Sequence, residues 1–175
     1  MAEIVISEID ADGLAEHLDG LAEILHASVH AGASVNFVLP FSLEDSRAFW
    51  RGKVFSSVEA GGRILLVALA GGSIAGTVQL DLDTPPNQPH RCEVTKLLVH
   101  PDFRNRGIAR SLMGALEGRA RDLGKRLITL DTRTGDMAEP LYRSLGYRTA
   151  GVIPGYSRAP DGERYDSTTY MYKAL

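Results

Sequence analysis

One cysteine, Cys92, stands in a chain of 175 residues. That scarcity excludes an intramolecular disulfide and any cysteine-based zinc site, as expected of a protein from a reducing compartment. Long apolar runs are also missing: none approaches the roughly 18 to 20 residues of a membrane span. Glu3, Glu8 and Asp10 punctuate the first short apolar pieces, where a secretory signal would carry a basic start and an apolar core. A cytoplasmic location without a membrane partner is therefore expected. Nor does one sign of charge dominate. Lys and Arg number 19 against 22 Asp and Glu, a net charge of −3, which argues against nucleic acid as a partner for the surface as a whole.

What is present fits one domain. The length suits a single domain of about 150 residues, and no repeat, low-complexity tract or shift in composition divides residues 1–175. Alternation over Glu3 to Ile9 predicts a strand. Leu14, Leu18, Leu21, Ala22, Leu25 and Val29 then recur at helical spacing behind a cap at Asp12, up to Gly32. Ser42-Leu43-Glu44-Asp45 has the form of a capping box and opens a second helix through Phe49, Trp50, Val54 and Val58. Two β-rich runs, 63–70 and 73–82, flank Gly71-Gly72 as a hairpin. A strand at 91–100, a helix at 107–123, a strand at 126–131, a short helix at 137–145 and a closing hairpin of 147–156 with 164–172 complete the order β α α β β β α β α β β. Helices alternating with strands in this way predict a mixed α/β sheet, in which the 107–123 helix is a parallel crossover.

Chemistry concentrates at the strand that runs into this crossover helix. Residues 91–126 hold nine basic and four acidic residues, a local +5 in a chain whose remainder sums to −8. A strand, a loop with Gly107 and a helix N-terminus bring unpaired backbone N–H groups and the positive end of a helix dipole to one point, which suits a compact polyanion such as a diphosphate. Gly107 lets that group approach the backbone, and small Ala109 keeps the first turn open. The alternative is a solvated basic helix face. His26 and His30, four apart, form too small a set for a metal and read as an ordinary helix face, so no metal is expected.

Arg104-x-x-Gly107-x-Ala109, between a strand and a helix, resembles the Gln/Arg-x-x-Gly-x-Gly/Ala signature of the GCN5-related N-acetyltransferase (GNAT) superfamily. The order of elements matches that superfamily across nearly the whole chain. The resemblance implies the GNAT fold: an α/β, mostly antiparallel mixed sheet with a parallel β-α-β core flanked by helices. It implies acetyl-CoA as cofactor, with coenzyme A as product. The loop residues Arg104, Asn105, Arg106, Gly107, Ile108, Ala109, Arg110 and Ser111 would hold the diphosphate, and backbone groups of Leu97, Leu98 and Val99 the pantetheine arm. Tyr142 matches the tyrosine that many members place near the sulfur. Homodimers are common in the superfamily, although no segment here singles out an interface.

A narrower likeness lies in Gly32-Ala33-Ser34-Val35, Glu93-Val94-x-Lys96-Leu97, Leu130-Asp131-Thr132 and Pro154-Gly155-Tyr156 with Pro160-Asp161-Gly162, which are similar to runs of the tabtoxin-resistance acetyltransferases. Those enzymes acetylate the amine of a small β-lactam amino acid. By that likeness Glu93 is the general base, directly or through water, and Asp131 orients the amine or assists; no covalent acyl-enzyme is required, so direct transfer within a ternary complex is expected. The superfamily resemblance implies an acceptor pocket covered by the segment between the first two helices, so Asn36 and Phe37, with Tyr156 and Arg158 of the last hairpin, are candidate acceptor contacts alongside Glu93 and Asp131. Residue type alone leaves each role open: Glu93 as a surface ion-pair partner of Arg91 or Lys96, Asp131 as a loop cap, Tyr142 as packing. Acetylation of peptide N-termini, or acyl-CoA sensing without turnover, are the competing functions.

Overall fold

The computed structural model describes residues 3–175. Seven strands form one sheet in the order β1-β2-β3-β4-β5-β7-β6: β1 (Ile4–Glu8), β2 (Arg63–Ala70), β3 (Ser73–Asp81), β4 (Arg91–Val99), β5 (Leu127–Arg133), β6 (Arg148–Arg158) and β7 (Tyr165–Ala174). All neighbours are antiparallel except β4 and β5. Helix α1 (Leu14–His30) and helix α2, residues 43–59, cover one face. Helix α3 (Ile108–Asp122) covers the other, beside the short α4 (Ala138–Ser144).

Local sequence accounts for most of these elements. Leu21, Ala22, Ile24, Leu25 and Val29 bury the α1 stripe, and Leu112, Met113, Leu116 and Ala120 bury that of α3, each large side chain worth about 1.5 to 3 kcal/mol. Gly71 and Gly72 both take positive φ, which a two-residue hairpin with a type I′ turn requires, and Ala70 faces Ser73 across it. Ser42 and Asp45 form the reciprocal capping box.

Two expectations are corrected. The cap of α1 is Gly13, not Asp12, and no side chain caps the helix; Asp10 turns the chain there by accepting the Gly13 N–H at 3.0 Å. The second helix is not uniformly α: Trp50–Phe55 forms a π turn between Leu43–Phe49 and Ser56–Glu59, seating the Trp50 ring wholly in the core.

One irregularity governs the site. Between Thr77↔Leu98 and Gln79↔Thr95, β3 advances two residues while β4 advances three, so Lys96 and Leu97 share one partner in a β-bulge, with Lys96 at φ +52°. The bulge reverses the faces. Cys92 and Val94 pack toward α3 ahead of it, whereas beyond it Leu98 joins the core under α1 and α2. On the other edge, β4 and β5 pair only at Arg91↔Leu127, Cys92↔Ile128 and Glu93↔Thr129, and then part.

Gly76 fixes the distance of α3 from this sheet. A Cβ there would lie 2.7 Å from Ile108 Cγ2 and 3.0 Å from Leu112 Cδ1. Gly76→Ala should therefore destabilise the protein by about 1 to 3 kcal/mol through overpacking. Gly114→Ala, on the exposed side of α3 with nothing within 4 Å, should stabilise it by about 0.5 to 1 kcal/mol. Urea unfolding measures both; equal effects from the two would contradict the close approach at Gly76.

Candidate active site

Where β4 and β5 part, a cavity of about 370 Å³ opens. Its walls are the loop after α1 (Ala33 to Asn36), β4 from Glu93 to Leu98, β5 from Asp131 to Arg133, Tyr142 of α4, Tyr156 of β6, and Thr168 and Tyr170 of β7. Glu93 pairs with Thr129, and Asp131 lies two residues further along β5, so both carboxylates occupy one sheet face. Arg91 donates to Glu93 Oε2 at 3.4 Å and to Thr129 Oγ1 at 2.9 Å. Thr168 donates its hydroxyl to Asp131 Oδ2 at 2.8 Å.

Burial raises the Glu93 carboxyl above its ordinary value; the Arg91 hydrogen bond opposes that rise, and the charges of Asp131 and Asp81 add to it. Tyr142 is almost wholly buried in T-shaped contact with Tyr147, at 5.8 Å between ring centroids. Burial, with the negative charge of Asp131 and Asp136, holds its hydroxyl protonated far above neutral pH. Tyr156 and Tyr170 share a hydrogen bond of 2.8 Å, and Tyr170 is pushed up to about 12, chiefly by that bond.

The loop before α3 is shaped by two left-handed residues, Asn105 (φ +61°) and Gly107 (φ +76°). Gly107 is the N-cap of α3, no side chain caps the helix, and its first turn holds no acidic residue. Space in front of Gly107 is open: an added Cβ would meet nothing within 4 Å. Ile108 contributes only backbone to that surface, since its side chain is buried against the sheet. Arg106 donates to the Asp102 carbonyl at 3.1 Å and lies over Phe103, and Arg110 donates to Ser144 Oγ at 2.7 Å. Arg104, Asn105 and Ser111 are exposed beside them. Unpaired N–H groups, basic side chains and an open approach fit an anionic diphosphate. The β4 edge at Leu97 to Val99, which β5 leaves unpaired, fits an extended amide-bearing arm.

Not every expected residue reaches the cavity. Phe37 lies behind its wall, packed on Phe41 and Phe49 at 4.6 and 5.1 Å. Arg158 lies outside, because its Nε donates to the Gly162 carbonyl at 2.9 Å and braces the β6–β7 turn. Val99 stands beyond the lining, on the β4 edge. Conversely, Lys96, Arg133, Thr168 and Tyr170 line the cavity although the sequence did not single them out; alternation of Thr168 with Tyr170 along β7 was the available signal. Cys92 is fully buried on the opposite face, and burial pushes its thiol up to about 11, which removes it as a nucleophile. His30 Nε2 lies 2.9 Å from the Phe41 carbonyl, tying the α1–α2 loop to α1. Among the described residues no helix is long and apolar enough to cross a membrane.

A mixed sheet split between two parallel strands, with an uncapped helix N-terminus beside the split, is the architecture of coenzyme A-dependent N-acetyltransferases. The chain belongs to the acetyltransferase (GNAT) family, whose model matches residues 29–147, and it is an N-acetyltransferase. A curated relative, an uncharacterized N-acetyltransferase in the hisH-hisA intergenic region of Azospirillum brasilense, is 31% identical over 142 residues, covering 80% of this chain and 82% of its own. The fold is similar to that of the ribosomal-protein-alanine N-acetyltransferase of Brucella melitensis, with TM-score 0.81, 22% identity and coverage of 98% and 99% of the two chains. It is also similar to that of YncA of Salmonella typhimurium, a structure with its cofactor acetyl-CoA, with TM-score 0.77, 20% identity and coverage of 98% and 94%. Enzymes of this family use acetyl-CoA.

Proposed function

We propose that this enzyme acetylates a primary amine of a small molecule by direct transfer within a ternary complex. The observation that supports it most is the cavity at the parting of β4 and β5, with the carboxylates of Glu93 and Asp131 on one face and Tyr142 in its wall. Acetyl-CoA supplies an activated acetyl thioester when bound. The N–H groups from Gly107 to Arg110, with Arg104, Arg106, Asn105 and Ser111, would hold its diphosphate, and Leu97 to Val99 its pantetheine arm.

An alkyl ammonium with a pKa of about 10.4 is almost wholly protonated at neutral pH and must lose a proton before it can act as a nucleophile. Glu93 is the proton acceptor in this reading, because a carboxyl raised by burial is a stronger base than an exposed one. Asp131, steadied by Thr168, orients the ammonium. Tyr142 keeps its proton at all physiological pH, as a hydrogen-bond donor to the sulfur must. No residue needs to carry the acetyl group, in keeping with the burial of Cys92. The size of the cavity and the runs similar to tabtoxin-resistance enzymes favour a toxin-like or antibiotic acceptor such as a β-lactam amino acid.

Thiol release from acetyl-CoA, followed over β-lactam amino acids, aminoglycosides, polyamines and short peptides, tests this reading. Turnover should appear on a small amine, and Tyr142→Phe should lower kcat at least tenfold while coenzyme A affinity stays within twofold. Turnover on peptides alone would replace the small-molecule reading, and tight cofactor binding without turnover would indicate a sensor. The pH profile tests Glu93 separately. Glu93 must be ionised to take the ammonium's proton, so log kcat/KM against pH should rise with slope one at low pH and level off above a break lying over the ordinary glutamate range. Glu93→Gln should give slope one throughout and activity lower by about 100-fold; an unbroken wild-type profile would remove Glu93 as the base.

A further inference from the structure

The cavity holds a cation that the reaction just proposed does not use. Lys96 occupies the β4 bulge at φ +52°, a left-handed conformation that is strained for a residue with a Cβ. Strain of this kind persists where the surroundings over-determine it, and it clusters at functional sites. Its effect here is directional. Strict alternation with Cys92 and Val94 would point Lys96 into the core under α3, whereas the bulge turns it to the α1/α2 face. There Nζ lies 5.9 Å from the centre of the Phe37 ring and 5.7 Å from that of Phe49. Two aromatic faces fix the ammonium without neutralising it.

No described residue forms an ion pair or side-chain hydrogen bond with Lys96. Arg133, the other basic residue of the lining, differs: Asp136 at 3.2 Å, Asp166 at 3.8 Å and the Gly32 carbonyl at 3.1 Å engage it fully. A half-buried cation without an anion is costly, and a ligand anion would relieve that cost. The charges facing Lys96 sharpen the deficit. Lys53 of α2 and Arg63 of β2 repel it, Asp131 of β5 attracts it, and burial contributes most to lowering it to about 8. Arg63 is itself paired with Asp81 at 2.6 Å.

We infer that Lys96 binds a carboxylate of the acceptor, so that the acceptor is an amino acid or a zwitterion of that kind. Its ammonium faces Glu93 and Asp131 while its carboxylate faces Lys96. Phe37 thereby acts on the acceptor through Lys96 rather than by contact. This assignment rests on the small-amine reading above and gives its substrate a second charged group.

The test pairs each common L-amino acid with its own carboxamide, which keeps the amine and removes the negative charge. Equilibrium binding to the enzyme loaded with coenzyme A is measured by calorimetry, and KM and kcat by thiol release. At least one acid should bind tenfold or more tightly than its amide in the wild type. Lys96→Met, which keeps the length of the chain over Phe37 and Phe49, should reduce that acid-to-amide preference at least tenfold, through KM rather than kcat. Lys96→Arg should restore most of it, a rescue that a packing role would not produce. An acid-to-amide preference unchanged in Lys96→Met, or no acid favoured over its amide in the wild type, would overturn the assignment. Binding with the expected preference but no turnover would instead overturn the catalytic reading and leave this one standing.

Discussion

The parting of β4 from β5 after three paired residues is the constraint on which the rest of the site depends. A parallel pair must be joined by a crossover, and α3 supplies it. The same crossover places a helix N-terminus at the end of the strand that has just lost its partner. A backbone edge with free hydrogen-bonding groups and an array of unpaired N–H groups therefore come together without any dedicated side chain. On one side of β4 the bulge at Lys96 breaks the ladder with β3, and on the other β5 turns toward β7. The opening is closed at its far edge by Tyr156 and Tyr170, whose shared hydrogen bond joins β6 to β7.

Charge is distributed over this frame in an order that suits the transfer. Basic residues and helix N–H groups gather at the loop of residues 104–111, which suits a diphosphate. The carboxylates of Glu93 and Asp131 line the cavity at the parting, and the unpaired ammonium of Lys96 lines the same cavity. Burial raises the Glu93 carboxyl and lowers the Lys96 ammonium. Desolvation acts against both charged forms, as it does in any half-closed cavity.

Much of this was legible in the sequence because the signals were local. Three- and four-residue spacing marked α1 and α3, Gly71-Gly72 marked the hairpin, and Gly107 after a Val- and Leu-rich strand marked the open N-terminus of α3. Glu93, Asp131, Asn36, Tyr142 and Tyr156, separated by as many as 120 positions, line one cavity. Features set by non-local geometry were hidden. A bulge formed by Lys96 and Leu97 carries no glycine or proline to announce it, and alternation sent Lys96 to the wrong face. Arg158 stood near Tyr156 in sequence, but the turn carbonyl of Gly162 claims its guanidinium. The π turn in α2 depends on how Trp50 seats in the core, which helical periodicity does not describe.

The central claim is that the parted β4 edge and the α3 N-terminus form one continuous cofactor surface. Backbone hydrogen exchange with and without coenzyme A measures it directly. The account predicts slowed exchange at Leu97 to Val99 and at Ile108 to Arg110 together, with the amides of β1 and β2 unchanged. Protection confined to other segments, or none at a saturating concentration of coenzyme A, would contradict it.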